Sequence, residues 1–149
     1  MKNAVLAPPA PPPVTGASYR LTAPSLSTTP KIARDWVVSI LRSGQHAPLA
    51  ERARVCTSEV VTNAYLHGRT PLITVEVTLG QGRVSVLVRD ENPYEMPKLI
   101  PVDHHSRDEH GRGLLMVDCF ADHWDVRLTE AATKVVSFML VDPGREAAA

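Results

Sequence analysis

The stretch Ser58-Glu59-Val60-Val61-Thr62-Asn63-Ala64 sets a carboxylate and a carboxamide four residues apart in a segment with helical apolar spacing. Residues separated by four positions share one face of an α-helix. Glu59 and Asn63 are therefore predicted to project together, beside the apolar positions Cys56 and Val60. A carboxylate can accept a proton, and a carboxamide oxygen suits a hard cation such as Mg²⁺. Taken alone, such a pair is more often part of a solvated helix face than of a functional site.

Length, composition and charge restrict the class of protein. With 149 residues, 44% of them hydrophobic, the chain suits one globular domain with a single core. Its 16 basic and 16 acidic residues cancel, so neither nucleic acid nor an acidic membrane is an expected partner. The chain lacks an apolar run of the roughly 18 residues that a membrane helix needs. Its first residues do not read as a signal peptide, so a cytoplasmic location is expected.

The two ends of the chain differ in composition from the middle. Residues 1–17 include the proline-rich run Ala7–Pro13 and offer little to bury, which predicts a disordered tail. A proline-recognition peptide is the alternative for this segment. Residues 142–149 are expected to fray. The folded domain is therefore predicted to span residues 18–141.

Two helices are predicted in the first half of the domain. Thr28-Thr29-Pro30 supplies a cap and a first-turn proline for a helix that ends near Gly44. A second helix is predicted from about Pro48 to His67, with Gly68 as its stop signal.

The two cysteines lie in predicted helices with apolar neighbours. Both Cys56 and Cys119 are therefore expected to be free, buried thiols rather than a disulfide.

Alternating apolar and polar residues predict five strands. Two of them are joined by the turn Gly80-Gln81-Gly82, which is typical of a hairpin. Hairpin strands with helices between them indicate an α+β fold: a mixed, mostly antiparallel sheet with helices packed on one face. The predicted strands cover residues 18–23, 73–79, 84–88, 124–128 and 135–141.

Asp90 follows the alternating valines 84, 86 and 88 and shares their face by parity. A carboxylate there is costly unless a partner offsets its burial, and the exocyclic amine of adenine could be that partner. The alternative is an aspartate that starts a turn with Asn92-Pro93. The polar segment that follows, residues 92–110, is too long for a simple connection.

Gly111-Arg112-Gly113 stands directly before an apolar helical segment. Glycines entering a helix allow backbone N–H groups to approach a phosphate, although a ligand-free junction would look the same. Neither standard glycine-rich phosphate motif is present.

Together, Ser58–Ala64, Asp90 and the stretch His110–Val117 resemble the GHKL (Bergerat-fold) ATPase superfamily. Within it, the chain looks like the small stand-alone members allied to anti-sigma-factor serine/threonine kinases. The resemblance covers about residues 18–141.

This resemblance implies an α/β sandwich that binds ATP and Mg²⁺ beneath a mobile lid. Glu59 matches the family's general base, Asn63 its Mg²⁺ ligand and Asp90 its adenine-reading aspartate. Thr133-Lys134 falls where many relatives carry a Gly-Thr or Lys-Thr near the adenine, and Thr133 is the residue assigned to nucleotide binding. The phosphate cradle corresponds to Gly111, Arg112, Gly113 and Leu114.

One departure from the family pattern keeps two functions open. Relatives carry D-x-G-x-G, whereas here Asp90 is followed by Glu91-Asn92-Pro93-Tyr94. The first function is a kinase that phosphorylates a Ser or Thr of an anti-anti-sigma-like partner. The second is a non-catalytic module, with or without nucleotide control, that sequesters a sigma factor or another regulator. The resemblance also brings a homodimer into consideration.

Overall fold

A computed structural model of the protein describes residues 16–68, 70–91, 115–128 and 133–144. Residues 115–120 are helical in addition to the elements named below. A short 3₁₀ turn, Ala47–Leu49, leads into the second long helix. The long helices are α1, Thr29–Arg42, and α2, Ala50–His67. The strands are β1, Ser18–Pro24; β2, Leu72–Gly80; β3, Arg83–Glu91; β4, His123–Leu128; and β5, Lys134–Val141.

The five strands form one sheet in the order β1-β2-β3-β5-β4. Every neighbouring pair among them is antiparallel, so this part of the chain has no parallel pairing. The β2–β3 hairpin turns through Gln81 and Gly82, and Gly82 has a φ of 65°. Glycine adopts this left-handed backbone without steric cost. The predicted α+β fold with a mostly antiparallel sheet is confirmed.

The core lies between the two long helices and one face of the sheet. Alternate residues of a strand point to the same side, and here the side facing the helices is buried. Asp90 continues the buried row of β3 and is only 5% exposed, which confirms the parity prediction. Both the helices and the sheet contribute buried side chains to this core. They are Val37, Leu41, Val60 and Val61 from the helices and Val84, Val86, Val88, Phe138 and Leu140 from the sheet.

The ends of the helices show how local sequence starts and stops them. Thr28 occupies the N-cap position of α1, but its side chain makes no capping hydrogen bond. The hydroxyl of Thr29 instead accepts a hydrogen bond from Leu26 N and donates one to Pro24 O, which ties α1 to the end of β1. Gly68 ends α2 while its N–H still donates to Ala64 O at 3.0 Å.

The prediction for the cysteines is half right. Both are free thiols, and Cys56 is buried, which raises its pKa to about 11. Cys119, however, is exposed, so the expectation that it is buried was wrong. The helical segment 115–120 buries Val117 while Leu115 and Met116 stay exposed, so this segment contacts the core through one narrow face.

Most residues of both predicted tails lie outside the described residues, and the domain boundaries stay predictions. At the inner end of the first tail, Ala17 O accepts a hydrogen bond from Leu79 N. At the start of the second, Asp142 N donates to Gly82 O. Within the described ranges, neither long helix has the length and apolar character required to traverse a bilayer.

Candidate functional site

A shallow pocket lies where α2 meets the inner face of β3 and β5. Its volume is about 310 Å³ when the open solvent at its mouth is included. Helix and sheet supply both apolar walls and polar groups, as is usual for a site that takes a small molecule. The described residues that line it are Val60, Asn63, Ala64, Val88, Asp90, Lys134 and Val136.

The structure brings two of the predicted site residues together in this pocket. Asn63 comes from α2 and Asp90 from the end of β3, so 27 positions of sequence separate them. Their meeting depends on the packing of α2 against the sheet. The pocket therefore combines a carboxamide and a buried carboxylate among aliphatic side chains.

Asp90 is held by the neighbouring strand. Asp90 and Lys134 are direct partners in the β3–β5 register. The backbone N–H of Lys134 donates to Asp90 Oδ1 at 3.1 Å. Burial raises the pKa of Asp90 above its ordinary value, and this hydrogen bond together with the Lys134 charge opposes the rise. The carboxyl group thus has a fixed orientation and an unusual affinity for a proton.

Lys134 is a pocket residue to which the sequence alone assigned no role of its own. It is half-buried and lines the pocket beside Asp90. Burial lowers the pKa of its ammonium group, and the charge of Asp90 works in the opposite direction. The alternation of β5 contained the signal, because residues 134, 136, 138 and 140 share the inward face.

Thr133 and Glu59, two further predicted site residues, are not among the residues that line the pocket. Thr133 is buried, at 8% exposure, and directly precedes β5, but it is not one of the lining residues named above. Glu59 is half-buried on α2 and also lies outside the lining set. Its charge is close enough to Cys56 to raise the pKa of that thiol.

Several predicted features lie outside the described residues. These include most of the segment after Asp90, the long polar connection and the proposed phosphate cradle, residues Gly111, Arg112, Gly113 and Leu114. Their predicted roles stay predictions. Within the described ranges, no three His, Cys, Asp or Glu side chains are grouped as a metal site would require.

The fold and the pocket together define an α+β domain with a pocket between a helix and an antiparallel sheet. The family model described as the histidine kinase-like ATPase domain matches residues 23–139. The chain therefore belongs to the histidine kinase-like ATPase family, as the motif resemblance predicted. Membership of this family implies ATP binding. No curated protein was found to match the chain.

Proposed function

We propose that this chain is an ATP-dependent regulatory kinase that phosphorylates a Ser or Thr of a partner regulator. The observation that supports it best is the pocket that Asn63 and Asp90 share, since the family implies ATP binding and these are two of its expected contacts. The partner would be an anti-anti-sigma-like domain, and the kinase would act in the cytoplasm.

The donor set of the pocket is compatible with a Mg²⁺-nucleotide. A buried carboxylate can accept hydrogen bonds from the amino group of adenine, and a carboxamide oxygen is a ligand that Mg²⁺ accepts. Asp90 would bind the base and Asn63 would hold the metal ion. Mg²⁺ takes few protein ligands when phosphate oxygens complete its shell, so a single asparagine suffices.

Glu59 would act as the general base. When bound, Mg-ATP supplies the γ-phosphoryl group that is transferred. The Glu59 carboxylate would hold the partner's Ser or Thr hydroxyl and take its proton as the hydroxyl oxygen bonds to the γ-phosphorus. The bond from that phosphorus to the bridging oxygen would break at the same time, and ADP would leave. Gly111, Arg112, Gly113 and Leu114 would cradle the phosphates, and Thr133 would support the base.

Glu59→Gln tests the role of the base in phosphoryl transfer. With labelled ATP and an anti-anti-sigma-like partner, we expect transfer to fall by about 100-fold or more, because a positioned base contributes about that much. ATP affinity should change little. Glu51→Gln is the matched control, since Glu51 lies exposed on the same helix and pairs with Arg42 and Arg54. Equal labelling by the two variants would remove Glu59 from the mechanism.

Asn63→Ala tests the metal role separately from transfer. Calorimetry of ATP binding with and without Mg²⁺ should show tighter binding with the ion for the natural protein. The variant should lose most of that difference, because the oxygen donor assigned to the metal ion is gone. A variant with the same Mg²⁺ dependence as the natural protein would contradict this assignment.

A non-catalytic binding module is the second candidate. It is favoured by the glycine-free sequence after Asp90 and by the position of Glu59 outside the lining set of the pocket. In this case the chain would capture a sigma factor or another regulator without phosphorylating it. Capture by Glu59→Gln at natural affinity, with no phosphorylation by either protein, would favour the module over the kinase. The same preparations, run by analytical ultracentrifugation, test the homodimer.

A further inference from the structure

Each long helix is followed by a glycine, and the two glycines have different surroundings. Gly68 follows α2 with φ −72° and ψ −31°, a backbone conformation that any residue adopts. A Cβ built on Gly68 would lie 2.4 Å from Asp90 Oδ2 and 2.6 Å from Ala64 O. A Cβ on Gly44, after α1, would meet no atom within 4 Å. Lack of space beside Asp90 Oδ2 and Ala64 O, and not backbone freedom, therefore requires glycine at position 68.

The carboxyl group of Asp90 is enclosed from two sides. On one side, Oδ1 accepts the backbone N–H of Lys134 from β5. On the other, Oδ2 borders Gly68 at the end of α2. A methyl group at position 68 would have to displace Oδ2, and it would also press on the Ala64 carbonyl at the end of the helix. Gly68 thus influences the direction in which the second carboxyl oxygen points.

We propose that Gly68 is a positioning residue for base recognition: its missing side chain leaves Asp90 Oδ2 where it can accept a hydrogen bond from the amino group of adenine. This inference rests on the proposed function, because it assumes that Asp90 reads the base. Gly68 itself acts through the carboxylate and needs no contact with the nucleotide.

Inosine triphosphate is the probe that isolates this role. Hypoxanthine, the base of inosine triphosphate (ITP), carries a carbonyl oxygen where adenine carries the amino group. The Asp90 carboxylate would repel that oxygen instead of accepting a hydrogen bond. The ratio of the Kd for ITP to the Kd for ATP therefore reports the position of the Asp90 carboxylate. A change in stability alone would weaken both nucleotides together and leave the ratio unchanged.

The experiment measures both Kd values by calorimetry on the full chain for the natural protein, Gly68→Ala and Gly44→Ala. The natural protein should bind ATP about 10- to 100-fold more tightly than ITP, as expected for a hydrogen bond to a charged group. Gly68→Ala should bring the ratio close to one, mainly through weaker ATP binding. Gly44→Ala should keep the natural ratio, because the added methyl group meets open space.

Asp90→Glu provides a second variant should Gly68→Ala fail to fold. The glutamate is one methylene longer, so its carboxylate cannot keep the natural position beside Gly68, and the ratio should fall here too. A natural ratio in either folded variant overturns the inference while the proposed function stands. A natural protein that binds neither nucleotide, or both equally, overturns the inference and the proposed base recognition together.

Discussion

At the scale of single residues, the pocket contains a buried carboxyl group and a half-buried ammonium group with opposite pKa shifts. Burial raises the pKa of Asp90 above 3.8 and lowers the pKa of Lys134 below 10.5. The Asp90 contribution to stability is complete below its ordinary pKa and is lost as pH rises through the raised value. The Lys134 contribution is complete above its ordinary pKa and is lost as pH falls through the lowered value. Near neutrality, each charge therefore costs stability, and their mutual attraction offsets part of the cost.

Lys134→Met should raise the pKa of Asp90 further. The charge of Lys134 is one of the influences that hold this pKa down, and methionine removes it while keeping an apolar stem of similar length. An NMR titration of the Asp90 carboxyl carbon measures the midpoint directly. The fall in stability with rising pH should move to higher pH in the variant.

Lys31→Met is the control for this titration. Lys31 is exposed on α1 and pairs with Asp35, so its loss should leave Asp90 unchanged. Equal midpoints in the Lys134 variant and the natural protein would show that the two pocket charges are not coupled.

At the scale of elements, Arg52 joins α2 to two segments that are distant in sequence. Its guanidinium donates to Phe120 O at 3.2 Å and to Val141 O at 2.8 Å. It also forms an ion pair with Asp122, whose Oδ2 accepts a hydrogen bond from Val141 N. The end of the helical segment 115–120 and the end of β5 are thereby held to the helix that carries Asn63.

Arg52→Met should lower the free energy of unfolding by about 1–3 kcal/mol, because two backbone carbonyls lose a charged donor. Urea denaturation followed by circular dichroism measures the change. Arg54→Met is the matched control on the same helix, since Arg54 makes a surface pair with Glu51 that is worth about 1 kcal/mol or less. Equal losses in the two variants would mean that the Arg52 contacts do not hold these segments together.

At the scale of the whole molecule, one core supports both the sheet and the pocket. Phe138 and Leu140 on β5 are buried in the same cluster as Val60 and Val61 on α2. The pocket lies at one end of this cluster, where Val60, Val88 and Val136 belong to both. Folding of the core and formation of the pocket should therefore occur in a single transition.

Phe138→Ala should reduce the free energy of unfolding by about 3–5 kcal/mol, as truncation of a large buried aromatic usually does. On heating, nucleotide binding should be lost at the temperature at which the protein unfolds. Leu66→Ala serves as the control, because Leu66 is 57% exposed and its truncation should change stability by about 0.5 kcal/mol or less. Calorimetric melting of both variants, with and without ATP, measures the unfolding of the core and the loss of nucleotide binding. Loss of binding at a lower temperature than the unfolding of the core would contradict a single transition.

Much of the fold could be predicted from the sequence because the signals for its elements are local. Helical apolar spacing identified α1 and α2. The alternation of apolar and polar residues identified the strands, with their ends placed to within a few residues. Parity along β3 is sufficient to place Asp90 on the buried face of the strand. The exposure of Cys119 could not be predicted in this way, because apolar neighbours in sequence do not reveal how much of a short helix the core covers.

The sequence by itself determined the α+β class, the two helices, the buried Asp90 and the family. Only the tertiary structure decided which groups share the pocket. It brought Asn63 and Asp90 together, set Lys134 opposite Asp90, and closed Gly68 against the carboxylate. The physical reason is that periodicity along a chain specifies the direction of a side chain, whereas its neighbours depend on how distant segments pack.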